Sequence, residues 1–345
     1  MFDALLSWYQ GLPNTLWGSL LLFAIGLILL IKGGDWFVDS ATVIAKKFHV
    51  PEIIIGATVV SIGTTLPEVM VSATAALNNN GAIAYGNAIG SIVCNTSLIA
   101  ALTIAIRPAP VNRKAITMPV LFFFISAAIY LVAAYLFGSF DRWLGIVMLV
   151  VFTVYMVLTV RQGFKNPVNV PDHEEETAEG KKEDPLWVSI IVLVASAAII
   201  AVGADMLESS SVSLATMAGI PTEVVGVTIV ALCTSLPELV TAITALAKGH
   251  GALSLGNIIG ANIFNLVLVS GVAVTLSPFQ VPMGSEILGM NTSLVMELPL
   301  MVGVMALMTL PALLKKKLFR WQGIALLSIY AIFVTLQVLI ALHIL

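Results

Sequence analysis

Charge is what this sequence has least of. Asp, Glu, Lys and Arg make up 10% of its 345 residues against 59% hydrophobic residues, and its mean hydropathy is +1.03. A soluble globule carries nearer a quarter charged residues, so a soluble fold is excluded. The apolar runs are continuous rather than alternating, which excludes a β-barrel and predicts helices of about 20 residues or more, enough to cross a roughly 30 Å hydrocarbon core. Cysteine is nearly absent too. Cys94 and Cys233 both fall inside predicted spans and read as buried thiols. Residues 1–14 hold Asp3 but no Lys or Arg, so the basic region that opens a signal peptide is missing and the segment is expected to be retained.

Punctuation by polar and helix-breaking residues divides the apolar runs into ten predicted spans, near 16–46, 52–77, 82–106, 116–137, 141–161, 187–216, 222–247, 251–276, 289–312 and 320–344. Between the fifth and sixth lies a polar segment, 162–185, rich in Glu and Lys and bounded by Pro167, Pro171 and Pro185. Its acids, from Asp172 to Asp184, are mixed with lysines and have no calcium-loop spacing, so it reads as a solvated linker. Lys46, Lys47, Arg107, Arg113, Lys114, Arg161, Lys165, Lys181, Lys182, Lys248, Lys315, Lys316, Lys317 and Arg320 all fall in alternate connections, and only Arg142 falls in the other set. Positive charge is retained on the cytoplasmic side. The bias therefore predicts a multi-pass protein of the cell's inner (plasma) membrane with both termini extracytoplasmic and the linker in the cytoplasm.

The two halves repeat each other at a constant offset of 170 residues. That offset pairs Asp35 with Asp205, Pro51 with Pro221, Gly56 with Gly226, Thr64 with Thr234, Pro67 with Pro237 and Glu68 with Glu238. It also pairs Gly86 with Gly256, Asn87 with Asn257, Gly90 with Gly260, Asn95 with Asn265 and Pro108 with Pro278. Five spans per half is an odd number, so similar halves must enter the membrane in opposite orientations. The predicted architecture is an all-α membrane protein of ten helices: a first five-helix repeat over 1–161, the linker over 162–185, and an inverted repeat over 186–345. Such inverted repeats mark transporters, with the site near the midplane between them.

The strongest duplicated signal is Gly63-Thr64-Thr65-Leu66-Pro67-Glu68, answered by Cys233-Thr234-Ser235-Leu236-Pro237-Glu238. A carboxylate, two hydroxyls and a proline are costly inside a hydrocarbon-soluble helix and so point to function. Thr64 and Glu68 are four apart and share a helix face. Pro67 has no N–H and displaces the carbonyl of Gly63, freeing a backbone oxygen at the depth of the carboxylate. Alone, the motif would also suit a kinked helix with a hydrogen-bonded glutamate; its duplication favours a shared site. In the next span of each half, Gly86-Asn87-Ala88-Ile89-Gly90-Ser91 and Gly256-Asn257-Ile258-Ile259-Gly260-Ala261 place glycines four apart, suited to close helix packing, with Asn95 and Asn265 as candidate ligands. Carboxylates, hydroxyls, amides and freed carbonyls, with no histidine or thiolate at metal-ligand spacing, suit hard cations such as Ca²⁺ or Na⁺. One Ca²⁺ or two Na⁺ would neutralise two glutamates, so no bare buried charge need remain. Protons could also serve.

These two blocks, Gly56 to Leu98 and Gly226 to Leu268, resemble the α-repeats of the calcium/cation antiporter superfamily, in particular prokaryotic sodium/calcium exchangers. The resemblance implies that Glu68 and Glu238 are central ligands and that the carbonyls of Thr64 and Thr234 complete a calcium pocket. It further implies flanking sodium pockets drawn from the carbonyls of Ser61 and Ala231, the hydroxyls of Thr65, Ser235 and Ser91, and Asn95. The family pattern has a serine where this chain has Ala261 and an aspartate where it has Asn265, which removes a hydroxyl and a charge from one flanking pocket. The Gly-Asn-x-x-Glu motif of the proton-coupled branch is also missing, since Gly90 stands at its last position.

The function expected is therefore secondary active exchange of Ca²⁺ for Na⁺ by alternating access, with a Ca²⁺/H⁺ antiporter as the nearest alternative. An intramembrane hydrolase using the paired glutamates as acid and base is the alternative of another class, and would leave the symmetry of Asn95 and Asn265 unexplained. A cation channel lacks an evident filter. The reading calls for no enzyme activity, no cofactor beyond the transported ions and no nucleic acid, only the bilayer and a monomeric chain. Asp35, Asp39, Asp205 and Glu208 read as interfacial acids, with Lys32 and Asp35 placed to pair one turn apart. Glu297 has no matched acid in the other half.

Overall fold

The computed structural model describes residues 15–165, 185–219, 232, 235–283, 286–287, 289–342 and 344. Among these, nine helices are long and apolar enough to cross a membrane. They are α1 (Leu16–Lys47), α2 (Glu52–Leu77), α3 (Gly81–Ile106), α4 (Arg113–Phe137), α5 (Arg142–Lys165), α6 (Leu186–Met217), α8 (Gly251–Leu276), α9 (Ser293–Lys315) and α10 (Arg320–Ile340). A shorter apolar helix, α7 (Leu236–Ala247), completes the order. The rest of the predicted seventh span lies outside the described residues. Helix α5 runs to Lys165, so the first residues of the predicted linker continue the helix.

Local chemistry sets the ends. At the start of α1 the Thr15 hydroxyl accepts from the amide of Gly18 at 3.1 Å, satisfying one of the donors that every helix start leaves open. Lys46 and Lys47 occupy its last turn, where cations offset the helix dipole, and Pro51 bars continuation. His49, at φ 51°, turns the chain back toward α2. Trp17, Ile28, Val194 and Ile332 are each at least 60% exposed. An apolar surface of this kind is stable against hydrocarbon, not water.

Helices α1 and α6 are both 32 residues long and pack along much of their length. Ser19 bonds Ser213 at 3.2 Å. A Cβ on Gly26 would meet the Gly203 carbonyl at 2.8 Å, and one on Gly33 would meet Ile200 at 2.9 Å. Early residues of one helix therefore meet late residues of the other, so the two run antiparallel. The backbones touch because glycine removes the spacer.

Contacts at the helix ends fall into two groups. Glu52 and His250 pair at 2.9 Å. Pro110 bridges Lys317, and the Gln162 amide donates to the Lys114 carbonyl at 2.8 Å. On the other side Ser139–Phe140 pairs antiparallel with Phe279–Gln280, and Ser277 bonds Asn79 at 3.4 Å. Each group joins connections that share a predicted side, and the first is the basic one. Lys248 corrects one expectation. Asp35 pairs with it at 3.5 Å and Asp39 at 2.7 Å, rather than with Lys32 one turn away. Cys94 is a buried free thiol accepting from the Tyr330 hydroxyl at 3.7 Å; Cys233 lies outside the described residues.

Candidate cation-binding site

Four helices, α2, α3, α7 and α8, meet at the centre. Glycine allows α8 to lie directly on α2: a Cβ on Gly256 would stand 2.2 Å from the Ile53 carbonyl, and one on Gly260 would stand 2.7 Å from the Ala57 Cα. This contact presses Asn257 into the motif. Its side-chain oxygen accepts from the hydroxyls of Thr64 and Ser61, both at 3.3 Å, and the Ser61 hydroxyl also donates to the Gly56 carbonyl at 2.7 Å. Those two hydroxyls are thus engaged within the protein. Each donates its proton and keeps its oxygen lone pairs.

Backbone geometry loosens at the same depth. Helix α2 passes through a π-helical stretch, Gly56–Val60, immediately before Ser61, and the Tyr155 hydroxyl of α5 donates to the Ala57 carbonyl there at 3.1 Å. Helices α3 and α8 each widen to π geometry beginning at Asn95 and at Asn265. Inserted turns of this kind concentrate at functional sites because they re-aim side chains and free carbonyls. Pro67 sits inside α2, while Pro237 occupies the first turn of α7, just before Glu238.

Glu68 and Glu238 are both 0% exposed. Pro67 and Pro237, the residues just before them, line one narrow crevice with Thr64, so the two carboxyl-bearing turns adjoin. No oxygen of either carboxyl has a hydrogen-bond partner among the described residues. The same holds for the hydroxyls of Thr65, Ser91 and Ser235 and for the whole side-chain amides of Asn95 and Asn265, all buried. A single buried polar group left unpaired costs about 1–3 kcal/mol, and more if charged. The oxygens among them are the ligand type that a hard cation takes.

Glu68, Glu238, Thr65, Ser91, Asn95, Ser235 and Asn265 are thus each buried and without a hydrogen-bond partner among the described residues. Thr234 and Ala231 lie outside the described residues. Ala261 is fully buried and offers no side-chain oxygen. Gly256 and Gly260 pack closely as expected, whereas no described atom lies within 4 Å of a Cβ built on Gly86 or Gly90. A crevice too narrow for water, lined by Phe37 of α1, Ala197 of α6, Thr64, Pro67 and Pro237, separates the motif from the α1–α6 pair.

Sequence reasoning did not count Asn87 and Asn257 among the site residues. The Asn87 amide donates to the Glu68 carbonyl at 3.1 Å and to the Ser72 hydroxyl at 2.9 Å, fixing α3 to α2 beside the carboxylate. The signal was present, since both asparagines follow a glycine at the repeat offset. Asn87→Ala is expected to lower the thermal unfolding midpoint, with a loss of about 1–2 kcal/mol for two bonds to a carbonyl and a hydroxyl, measured in detergent without Ca²⁺.

Comparison with known proteins now bears on this geometry. The sodium/calcium exchanger protein family matches residues 18–161 and again 188–339, once in each half. The sodium/calcium exchanger MaX1 of Methanosarcina acetivorans is 29% identical, with 91% of this chain and 97% of the relative covered. An uncharacterized membrane protein of Methanocaldococcus jannaschii, MJ0091, is 34% identical, with 90% and 95% covered. A solved structure of the sodium-calcium exchanger NCX_Mj superposes with a TM-score of 0.76 at 32% identity, covering 92% of this chain and 97% of that one.

Proposed function

Since this chain belongs to the sodium/calcium exchanger family, we propose that it is a secondary antiporter that moves Ca²⁺ and Na⁺ in opposite directions through one midplane site. The observation that carries the reading is the pair of fully buried carboxylates, Glu68 and Glu238, on adjoining turns and without a donor partner among the described residues. The central ligands are these two glutamates with the carbonyls of Thr64 and Thr234. Flanking positions use the carbonyls of Ser61 and Ala231, the hydroxyls of Thr65, Ser91 and Ser235, and the amides of Asn95 and Asn265.

The mechanism follows from charge. Two ionised glutamates carry −2, which one Ca²⁺ or two Na⁺ neutralise, so the two ions compete for the same oxygens. Moving an uncompensated buried charge through an apolar barrier is prohibitive, whereas a neutralised site can pass between inward- and outward-facing states. Coupling arises because the unloaded site does not make the crossing.

The architecture proposed is two inverted five-helix repeats, 1–161 and 186–345, with 162–185 as a cytoplasmic linker. The antiparallel α1 and α6, the family match in each half and the sorting of connections by predicted side support it. So does the path of the chain, which leaves α6 on the side of Ser19 and Ser213 and reaches Lys248 on the basic side. Ten crossings are the proposed count. The inner membrane, with both termini outside, is the proposed location, and a monomer is the proposed unit.

Among the relatives named above, those with a stated activity are exchangers, which weighs against a hydrolase. ⁴⁵Ca²⁺ uptake into sodium-loaded proteoliposomes distinguishes the two couplings. Uptake is expected to follow an imposed Na⁺ gradient and to ignore a pH gradient of equal size. Uptake that responds only to pH would assign the chain to Ca²⁺/H⁺ exchange instead.

A further inference from the structure

Away from the glutamates, the basic side carries a second built feature. The connection between α3 and α4 and that between α9 and α10 are tied by their backbones. The Val111 amide donates to the Lys316 carbonyl at 2.9 Å, the Leu318 amide donates to the Ala109 carbonyl at 3.0 Å, and Pro110 bridges Lys317. Val111 and Leu318 are buried beneath the bridge, 6% and 4% exposed. The bridge brings Arg107, Arg113 and Lys114 alongside Lys315, Lys316 and Lys317, all exposed. Neither connection contains an acid, and none of the six cations forms an ion pair among the described residues. Lys316 even adopts φ 53°, a left-handed conformation that costs a side-chain-bearing residue.

The fold therefore spends backbone order on bringing like charges together, which destabilises the protein unless an anion lies over them. Beside the bridge opens a cleft of about 340 Å³. Arg107 and Asn112 line it together with Ile53, Leu246 and Leu255, so its wall is polar at one part and apolar at another. Ser254 also lines it, and its hydroxyl is 98% buried with no partner among the described residues. An anionic group with an apolar continuation matches both parts.

We propose that this bridged platform and its cleft bind an anionic phospholipid, with the phosphate over the Arg/Lys cluster and the apolar continuation of the lipid in the cleft. A rigid pair of docked loops distinguishes it from scattered positive charge at membrane edges, which attracts anionic lipid only diffusely. The proposal is independent of which ion the antiporter couples.

The test uses the full chain in nanodiscs of phosphatidylcholine with a minority of phosphatidylglycerol, followed by mild detergent extraction and mass spectrometry of the retained lipid. Phosphatidylglycerol is expected to be enriched over its bulk fraction, and the enrichment to fall when the salt concentration is raised. R113Q/K315Q/K317Q should lower the preference on the order of 100-fold and return retention to the bulk ratio, since each basic residue at the surface contributes roughly a factor of five. R113K/K315R/K317R should retain it, which separates loss of charge from loss of fold. Retention at the bulk ratio in the wild-type chain, or enrichment unchanged in the neutralised variant, overturns the proposal. Displacement of the lipid by inorganic phosphate also overturns it, reassigning the platform to a soluble anion, as would enrichment that emerges only after E174Q/E175Q/E176Q, which reassigns it to the chain's own acidic segment.

Discussion

Glu68→Gln and Glu238→Gln are each expected to abolish Ca²⁺ uptake while leaving the protein folded. Glutamine keeps the volume and the polar atoms but removes one of two charges. A Ca²⁺ ion in the altered site would then carry an uncompensated +1 in a place with no water, at a cost of several kcal/mol. A loss of about 3 kcal/mol lowers affinity on the order of 100-fold. Stability without Ca²⁺ should hold or rise, because one buried ionisable group without a partner is removed. With Ca²⁺ the order reverses. An ion that binds only the native state adds about 2.7 kcal/mol at 100 times its Kd, and the variants lose that increment. Uptake assays and the Ca²⁺-dependent shift of the thermal midpoint, taken together, check both halves of the expectation. Full transport by either variant would remove the central claim.

Gly256→Ala is expected to be nearly as damaging by a different route. The added Cβ would stand 2.2 Å from the Ile53 carbonyl and 2.9 Å from the Ile53 Cα, both backbone atoms that no rotamer change can move. Helices α2 and α8 must separate. Overpacking of a tight core costs about 1–3 kcal/mol, and here the upper end applies. Separation also pulls Asn257, the next residue, off Ser61 and Thr64, so the surviving protein should transport poorly. Gly303→Ala supplies the control. No described atom lies within 4 Å of its Cβ, and alanine gains up to about 1 kcal/mol over glycine within a helix. Folded yield and thermal midpoint should fall for the first and hold or rise for the second. Equal behaviour of the two would refute the contact argument.

Much of this was legible because membrane rules are local and severe. The hydrocarbon core demands about 20 apolar residues per crossing, and spans drawn on that basis meet the observed helix ends within a few residues. The costly Thr-Pro-Glu motif needed no neighbour to stand out, and its second copy at a fixed offset pointed to the partner carboxylate. Local rules failed where the partner was distant. Lys32 and Asp35 fit the one-turn pairing pattern, yet Lys248, 213 residues along the chain, takes Asp35 and Asp39. Asn87 and Asn257 were visible as a repeated pair, but whether such an asparagine ligates, packs or cross-braces depends on what lies opposite.

The sequence by itself determined that the chain lives in a membrane, that its halves repeat, and that two glutamates, two threonines and two prolines are the candidates for its chemistry. Each of these follows from the cost of placing one residue type in hydrocarbon, which no tertiary arrangement can cancel. Only the tertiary structure decided that Glu68 and Glu238 lie on adjoining turns, buried and without partners among the described residues as are Asn95, Asn265 and Ser91, and that Asn257 braces the first half from the second. It alone brought two basic connections into one platform. Proximity across the chain is set by helix packing, through glycines whose role depends on the backbone they meet: Gly256 and Gly260 press against α2, and nothing in their spacing distinguished them from Gly86 and Gly90.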